Sequence, residues 1–222
     1  MRRQYIIMVL LVLVSTHAFS ATSTPSVYKT TVTKVELCSS SACSDPIVLG
    51  SGSKEFDIAS VSAQADVGTY LNDFTITLGR TYTHVRSTIN ATMTTKGTVD
   101  VSGTTCNTVA SPTVAAASAT ATAKTAPSGT LAEMDWIVPN VNGGGDYEDL
   151  TQRYNANGIS KTDGASTFTF TVAIVSPYTP NATDSPKVSI KFDVADTLEA
   201  TTSGGACVLY LNPPVQTVNI HR

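Results

Sequence analysis

Charge is scarce in this chain of 222 residues: Asp, Glu, Lys and Arg together make up 14% of it. The formal net charge of −3 leaves no basic surface of the kind that phosphate backbones require. Nucleic acid is therefore excluded as an expected partner. An anionic membrane surface is excluded on the same ground. Histidine is just as sparse. Of the three, His17 falls in an N-terminal leader and His221 stands next to the C-terminus. His84 is left as the one candidate general base of its type. No G-x-S-x-G nucleophile elbow occurs. The usual helix formers Glu, Lys, Leu and Gln are thin, which argues against an α-helical fold. Beyond the first 20 residues no apolar run is long enough to make a membrane helix.

What is present begins with that leader. Met1-Arg2-Arg3 precedes an apolar run from Ile6 to Val14, too short to span a bilayer comfortably. Ala18 and Ser20 occupy the −3 and −1 positions of a cut before Ala21. Residues 1–20 thus read as a secretory signal peptide. No Cys follows the run, which argues against a lipoprotein. The expected mature protein is residues 21–222, a single domain that is secreted or held at the cell surface, with no membrane span after cleavage.

Thr, Ser, Val, Ala and Gly dominate the rest. Residues 166–175 (STFTFTVAIV) alternate strictly, with Phe168, Phe170, Val172 and Ile174 on one side. Residues 187–194 (KVSIKFDV) do the same with Val188, Ile190, Phe192 and Val194. Period-two alternation marks strands with one buried and one wet face. The proline-rich connection between them predicts an antiparallel hairpin at the centre of the fold. Val27–Cys38 is a long strand in which Val32 and Val35 break parity, so either a bulge or burial on both faces is expected. Residues 81–95 form a long polar strand. Lys96-Gly97 reads as a hairpin turn into Thr98–Val101. Prolines 213 and 214 place the last strand at an edge. Turn signals every 8–12 residues point to an all-β, antiparallel β-sandwich of jelly-roll or Ig-like kind. Residues 107–130 hold almost nothing but Ala, Thr, Ser and Pro; they form an Ala/Thr-rich surface or edge segment that buries little.

Four cysteines in an exported chain imply disulfides. Of the three pairings, Cys38–Cys43 with Cys106–Cys207 is expected. The second closes a long loop, a stabilisation of about 4–5 kcal/mol in the entropy model.

Three constellations bear on chemistry. Tyr82, His84 and Arg86 alternate on one strand face and would offer a stacking plane and donors to a glycan or surface ligand. Tyr147, in a separate glycine loop, is the alternative binding residue. In that loop Asn142, Asp146, Glu148 and Asp149 supply hard oxygen ligands, a candidate Ca2+ site without EF-hand spacing. Carboxylates such as Asp135, Asp146 and Glu148 are the residues a hydrolase would use, but no nucleophile–base–orienter set assembles around them. No cofactor is expected otherwise. Asn90-Ala91-Thr92 and Asn181-Ala182-Thr183 match the N-glycosylation sequon.

The expected function is therefore structural or adhesive and non-catalytic. An extracellular filament subunit assembling by exchange of residues 21–38 fits the exported β chain. In this general sense the chain resembles donor-strand pilins and biofilm-fibre subunits. It lacks the aromatic C-terminal signature of chaperone–usher pilins, ending in Asn219-Ile220-His221-Arg222, and no family is assigned. Expected partners are further copies of itself, other surface proteins or glycans. The alternative is a secreted glycan- or ligand-binding module.

Overall fold

The structure, a computed structural model, describes residues 20–60, 76–110, 114–115, 119–120, 129–141, 150–184, 186–203 and 206–221. The strands in chain order begin with β1 (Ser20–Ser23), β2 (Val27–Cys38), β3 (Ile47–Asp57) and β4 (Tyr82–Lys96). Next come β5 (Thr98–Val101), β6 (Thr104–Asn107), β7 (Val114–Ala115), β8 (Ala119–Thr120) and β9 (Met134–Ile137). The short helix α1 (Thr151–Ala156) precedes β10 (Ile159–Ser160) and β11 (Thr167–Tyr178). Last are β12 (Lys187–Asp193), β13 (Leu198–Ser203), β14 (Ala206–Leu211) and β15 (Val215–His221).

The larger sheet runs β12-β15-β11-β4-β2-β3. Its spine is β4, not the expected hairpin. One flank of β4 pairs with β2 along nearly all its length; the other pairs with β11 and then with β9. The strand looks polar in sequence, yet Val85, Ser87, Ile89, Ala91, Met93 and Thr95 are all buried. On this inner face Ser87, Ala91 and Thr95 alternate with Val85, Ile89 and Met93. Thr95 shows how a polar group is kept there. Its Oγ1 accepts a 2.7 Å hydrogen bond from Nε1 of the fully buried Trp136.

The hairpin between 166–175 and 187–194 does not form. β15 inserts between the two, antiparallel to β12 and parallel to β11, where Ile174 faces Val218. The final strand is therefore an inner strand, despite Pro213 and Pro214 before it. Those prolines precede the ladder and remove no donor from it. The sheet is not wholly antiparallel: β11–β15 and β7–β9 are parallel pairs.

In β2 the expected irregularity is present. Register shifts fall on both sides of Val32, and Val32 and Val35 are both buried. The sheet curls on itself. Ile190 and Phe192 of the β12 edge share an interior void with Val35, Phe56 and Ile58 from the opposite edge.

A second sheet runs β1-β13-β14-β8. Leu198, Ala200 and Leu209 are its buried face. Lys96-Gly97 is not a hairpin turn: β5 pairs with β6 instead, through a turn at Ser102-Gly103 where both residues take positive φ. That turn is one at which glycine and a short polar residue tolerate the left-handed conformation. The β5–β6 ribbon is tied to the second sheet by Cys106 and Cys207, Cα atoms 5.6 Å apart. Cys38 and Cys43 are 4.9 Å apart at Cα. Both expected pairs thus stand at disulfide distance, which suits a non-reducing, extracellular environment. Among the described residues no helix is long and apolar enough to cross a membrane. Of the segment 107–130, Ala119–Thr120 lies at the edge of the second sheet beside β14.

Candidate functional site

The row of Tyr82, His84 and Arg86 lies on β4 as expected, but its chemistry differs from the expectation. Tyr82 is wholly buried and the Arg80 guanidinium lies 5.4 Å from its ring centroid. It offers no stacking plane to solvent. A bulge opposite Tyr178 turns it inward. Arg86 donates from Nε to Glu36 Oε2 at 2.8 Å. Lys34 reaches the other oxygen of the same carboxylate at 2.9 Å. Glu36 sits in β2 directly across from Arg86, buried, with a side chain only 3% exposed. Burial works against its ionisation. The two hydrogen bonds and charges from Arg86 and Lys34 outweigh that and hold its pKa below the ordinary value. Arg86 is thus committed to a structural ion pair. His84 is half-buried and hydrogen-bonded through Nδ1 to Thr83 Oγ1 at 2.8 Å.

Tyr147 and the candidate Ca2+ ligands Asn142, Asp146, Glu148 and Asp149 lie outside the described residues. Asp135 accepts a 2.6 Å hydrogen bond from Thr94 Oγ1. Among the described residues, no group of three or more His, Cys, Asp and Glu could hold a metal ion.

What the structure assembles is a cavity of about 80 Å³ inside the curled sheet. Its floor is the inner face of β2 and β4: Tyr28, Thr30, Ile89 and Met93. Phe168 and Phe170 from β11 and Phe192 from β12 form an aromatic wall. Leu150, Tyr154 and Ile159 cover it from around α1. Arg153, Asn157, Asn212, Pro213 and Pro214 are also among the residues that line it. Alternation sets the walls, since residues two apart on a strand share a face.

The helix that covers the cavity is held tightly. Gly158 ends it with φ +68°, and a Cβ there would sit 2.2 Å from the Thr171 carbonyl oxygen. Only glycine fits this approach. In return Thr171 N–H donates to the Gly158 carbonyl at 2.8 Å. Tyr154 donates its hydroxyl to the Pro139 carbonyl at 2.6 Å. Burial, with a smaller push from Asp163 and opposed by Arg153, raises its pKa to about 12. At the rim the Arg153 guanidinium donates to Asn212 Oδ1. Asn212 in turn donates to Glu199 Oε2 at 3.1 Å.

Two hydroxyls inside are poorly used. Thr30 Oγ1 is buried with no hydrogen-bond partner among the described residues. Among the described residues the Tyr28 hydroxyl has only the Met93 thioether, at 3.7 Å. Burial pushes its pKa far above the usual phenol value. None of this was visible in sequence, because the lining comes from separate strands, the helix and the 211–214 turn. The one local signal was the dense Phe168/Phe170 face.

No family model, no curated protein and no solved structure matches the chain. The functional reading rests on this geometry.

Proposed function

We propose that the protein is an exported, non-catalytic binding module that takes a small apolar molecule into the curled sheet. The observation that carries this is the aromatic cavity between β2, β4, β11 and α1, apolar within and polar at its rim. Concave, mostly apolar sites with a few fixed polar groups are where small ligands bind. The reading includes residues 1–20 as a cleaved signal peptide and secretion or cell-surface display. It also takes the curled sheets as the layers of a β-sandwich. Toluene is the simplest probe. With methionine methyl groups labelled by 13C, toluene should shift Met93, which lines the cavity, and leave the buried Met134 unmoved. Ile159→Trp fills the space and should abolish the response. A Met93 signal indifferent to toluene at millimolar concentration would sink the proposal.

A second reading, assembly by strand exchange, keeps one specific support. β1 is a four-residue edge strand on the second sheet, joined to the rest through Pro25. Its antiparallel pairing with β13 is of the kind one copy could offer another. The longer strand β2 is a poor donor, because it is hydrogen-bonded to β3 and β4 on both sides. Negative-stain microscopy of the mature protein with and without residues 21–24, the part of β1 and its link that cleavage before Ala21 leaves, distinguishes the two: filaments that vanish on deletion favour exchange, and monomers in both cases remove it.

A further inference from the structure

The cavity is small for a whole ligand and contains one polar atom that the protein leaves unused. At about 80 Å³ it is roughly half the ~150 Å³ of an apolar cavity known to admit benzene. It therefore has room for no more than one small ring, which must push the lining side chains apart to enter, with the remainder of the molecule at the rim. Thr30, Ile58 and Phe192 also line a second, smaller void, which Arg153 and Asn212 do not, so Thr30 stands at the end of the cavity away from them. Its hydroxyl is 95% buried by residue and has no partner. Leaving such a group unsatisfied is unfavourable, because its lost hydration is not replaced. Valine would fill the same space without that cost. Two residues along the same face, the Tyr28 hydroxyl meets only a sulfur.

We propose that the cavity selects a single phenolic ring, inserted hydroxyl first, whose oxygen hydrogen-bonds to Thr30 Oγ1 while its carbons pack on Phe168, Phe170 and Phe192. This rests on the cavity being a ligand site at all. A threonine hydroxyl both donates and accepts, so it matches a phenol in either sense. The apolar wall rejects a charged group and any ligand that must keep a hydration shell. Substituents para to the hydroxyl point to the rim, where Arg153, Asn157 and Asn212 supply polar contacts.

The test compares p-cresol with toluene, which differ by the hydroxyl alone, on the same 13C-methionine protein. In the wild type p-cresol should bind about 5–10-fold more tightly, the worth of one buried hydrogen bond. Thr30→Val should bring p-cresol to within about twofold of toluene. Thr30→Ser should keep the preference, which separates loss of the hydroxyl from loss of packing. If both probes shift Met93 equally in the wild type, Thr30 is served by water only; the phenol proposal is overturned and the apolar site stands. If neither probe shifts Met93, the site falls and the phenol proposal with it. The wild-type comparison needs no variant, so a Thr30 substitution that fails to fold leaves the question decided.

Discussion

Arg86→Met is the substitution whose consequence the structure fixes most closely. It removes one of two cations that hold Glu36, whose side chain is 3% exposed. Arg86 donates at 2.8 Å and Lys34 at 2.9 Å, and Lys34 is itself 40% exposed. Hydrogen bonds to charged groups contribute about 1.5–3 kcal/mol. Breaking a fully buried pair costs more, about 3–5 kcal/mol. Arg86 is 23% exposed, so water can reach the vacated place and the loss belongs near the lower figure. We expect about 2 kcal/mol at pH 7. Lys34→Met, at a more exposed cation, should cost under ~1 kcal/mol. In urea an m-value of about 2 kcal/mol/M turns the Arg86 loss into a midpoint about 1 M lower.

The pH dependence supplies the sharper test. The folded pKa of Glu36 lies below its unfolded value of 4.5. Its contribution to stability is thus complete above about pH 4.5 and disappears as pH falls through the folded value. Once the carboxyl is protonated it no longer needs Arg86. The gap between wild type and Arg86→Met should narrow to under ~1 kcal/mol at pH 3, because protonation relieves the uncompensated charge. Glu36→Gln should lose this acid-dependent part of the unfolding curve. A gap of equal size at pH 7 and pH 3 would refute the account and show that Arg86 acts through its aliphatic stem alone.

Two further substitutions separate local from global effects. Replacing both Cys106 and Cys207 by Ser opens a closure of 101 residues and should cost about 4–5 kcal/mol, whereas Cys38 and Cys43, five residues apart, should cost about 2 kcal/mol in the same chain-entropy model; equal losses in urea would count against it. Gly158→Ala should lose well over ~2 kcal/mol, since the αL backbone alone costs about 1–2 kcal/mol and the new methyl meets the Thr171 carbonyl. Gly103→Ala, also at positive φ but facing open space, is the control and should pay only the backbone term, so a melting temperature equal to that of Gly158→Ala would show the close approach to be absent.

What the sequence determined by itself is local. Phe168, Phe170 and Ile174 on β11, and Val188 and Ile190 on β12, are buried as their alternation requires, because a strand's two faces are set by the backbone period alone. The parity break between Val32 and Val35 announced the irregular register in β2 for the same reason. The expected cysteine partners stand at disulfide distance, a choice among only three pairings that four cysteines allow.

The tertiary structure decided which strand lies beside which. Alternation shows a strand's inner face but not its neighbour, and ladder hydrogen bonds are the same for any sequence. Hence β15 lies between β11 and β12, and β4 is the spine although half its inner face is hydroxyl or small. Only cross-strand placement turned Arg86 from a binding candidate into the partner of a buried Glu36, and Tyr82 from an exposed ring into core. The cavity belongs to this second class. Thr30 is one threonine among many until β11, β12 and α1 close over it and leave its hydroxyl alone in an aromatic space.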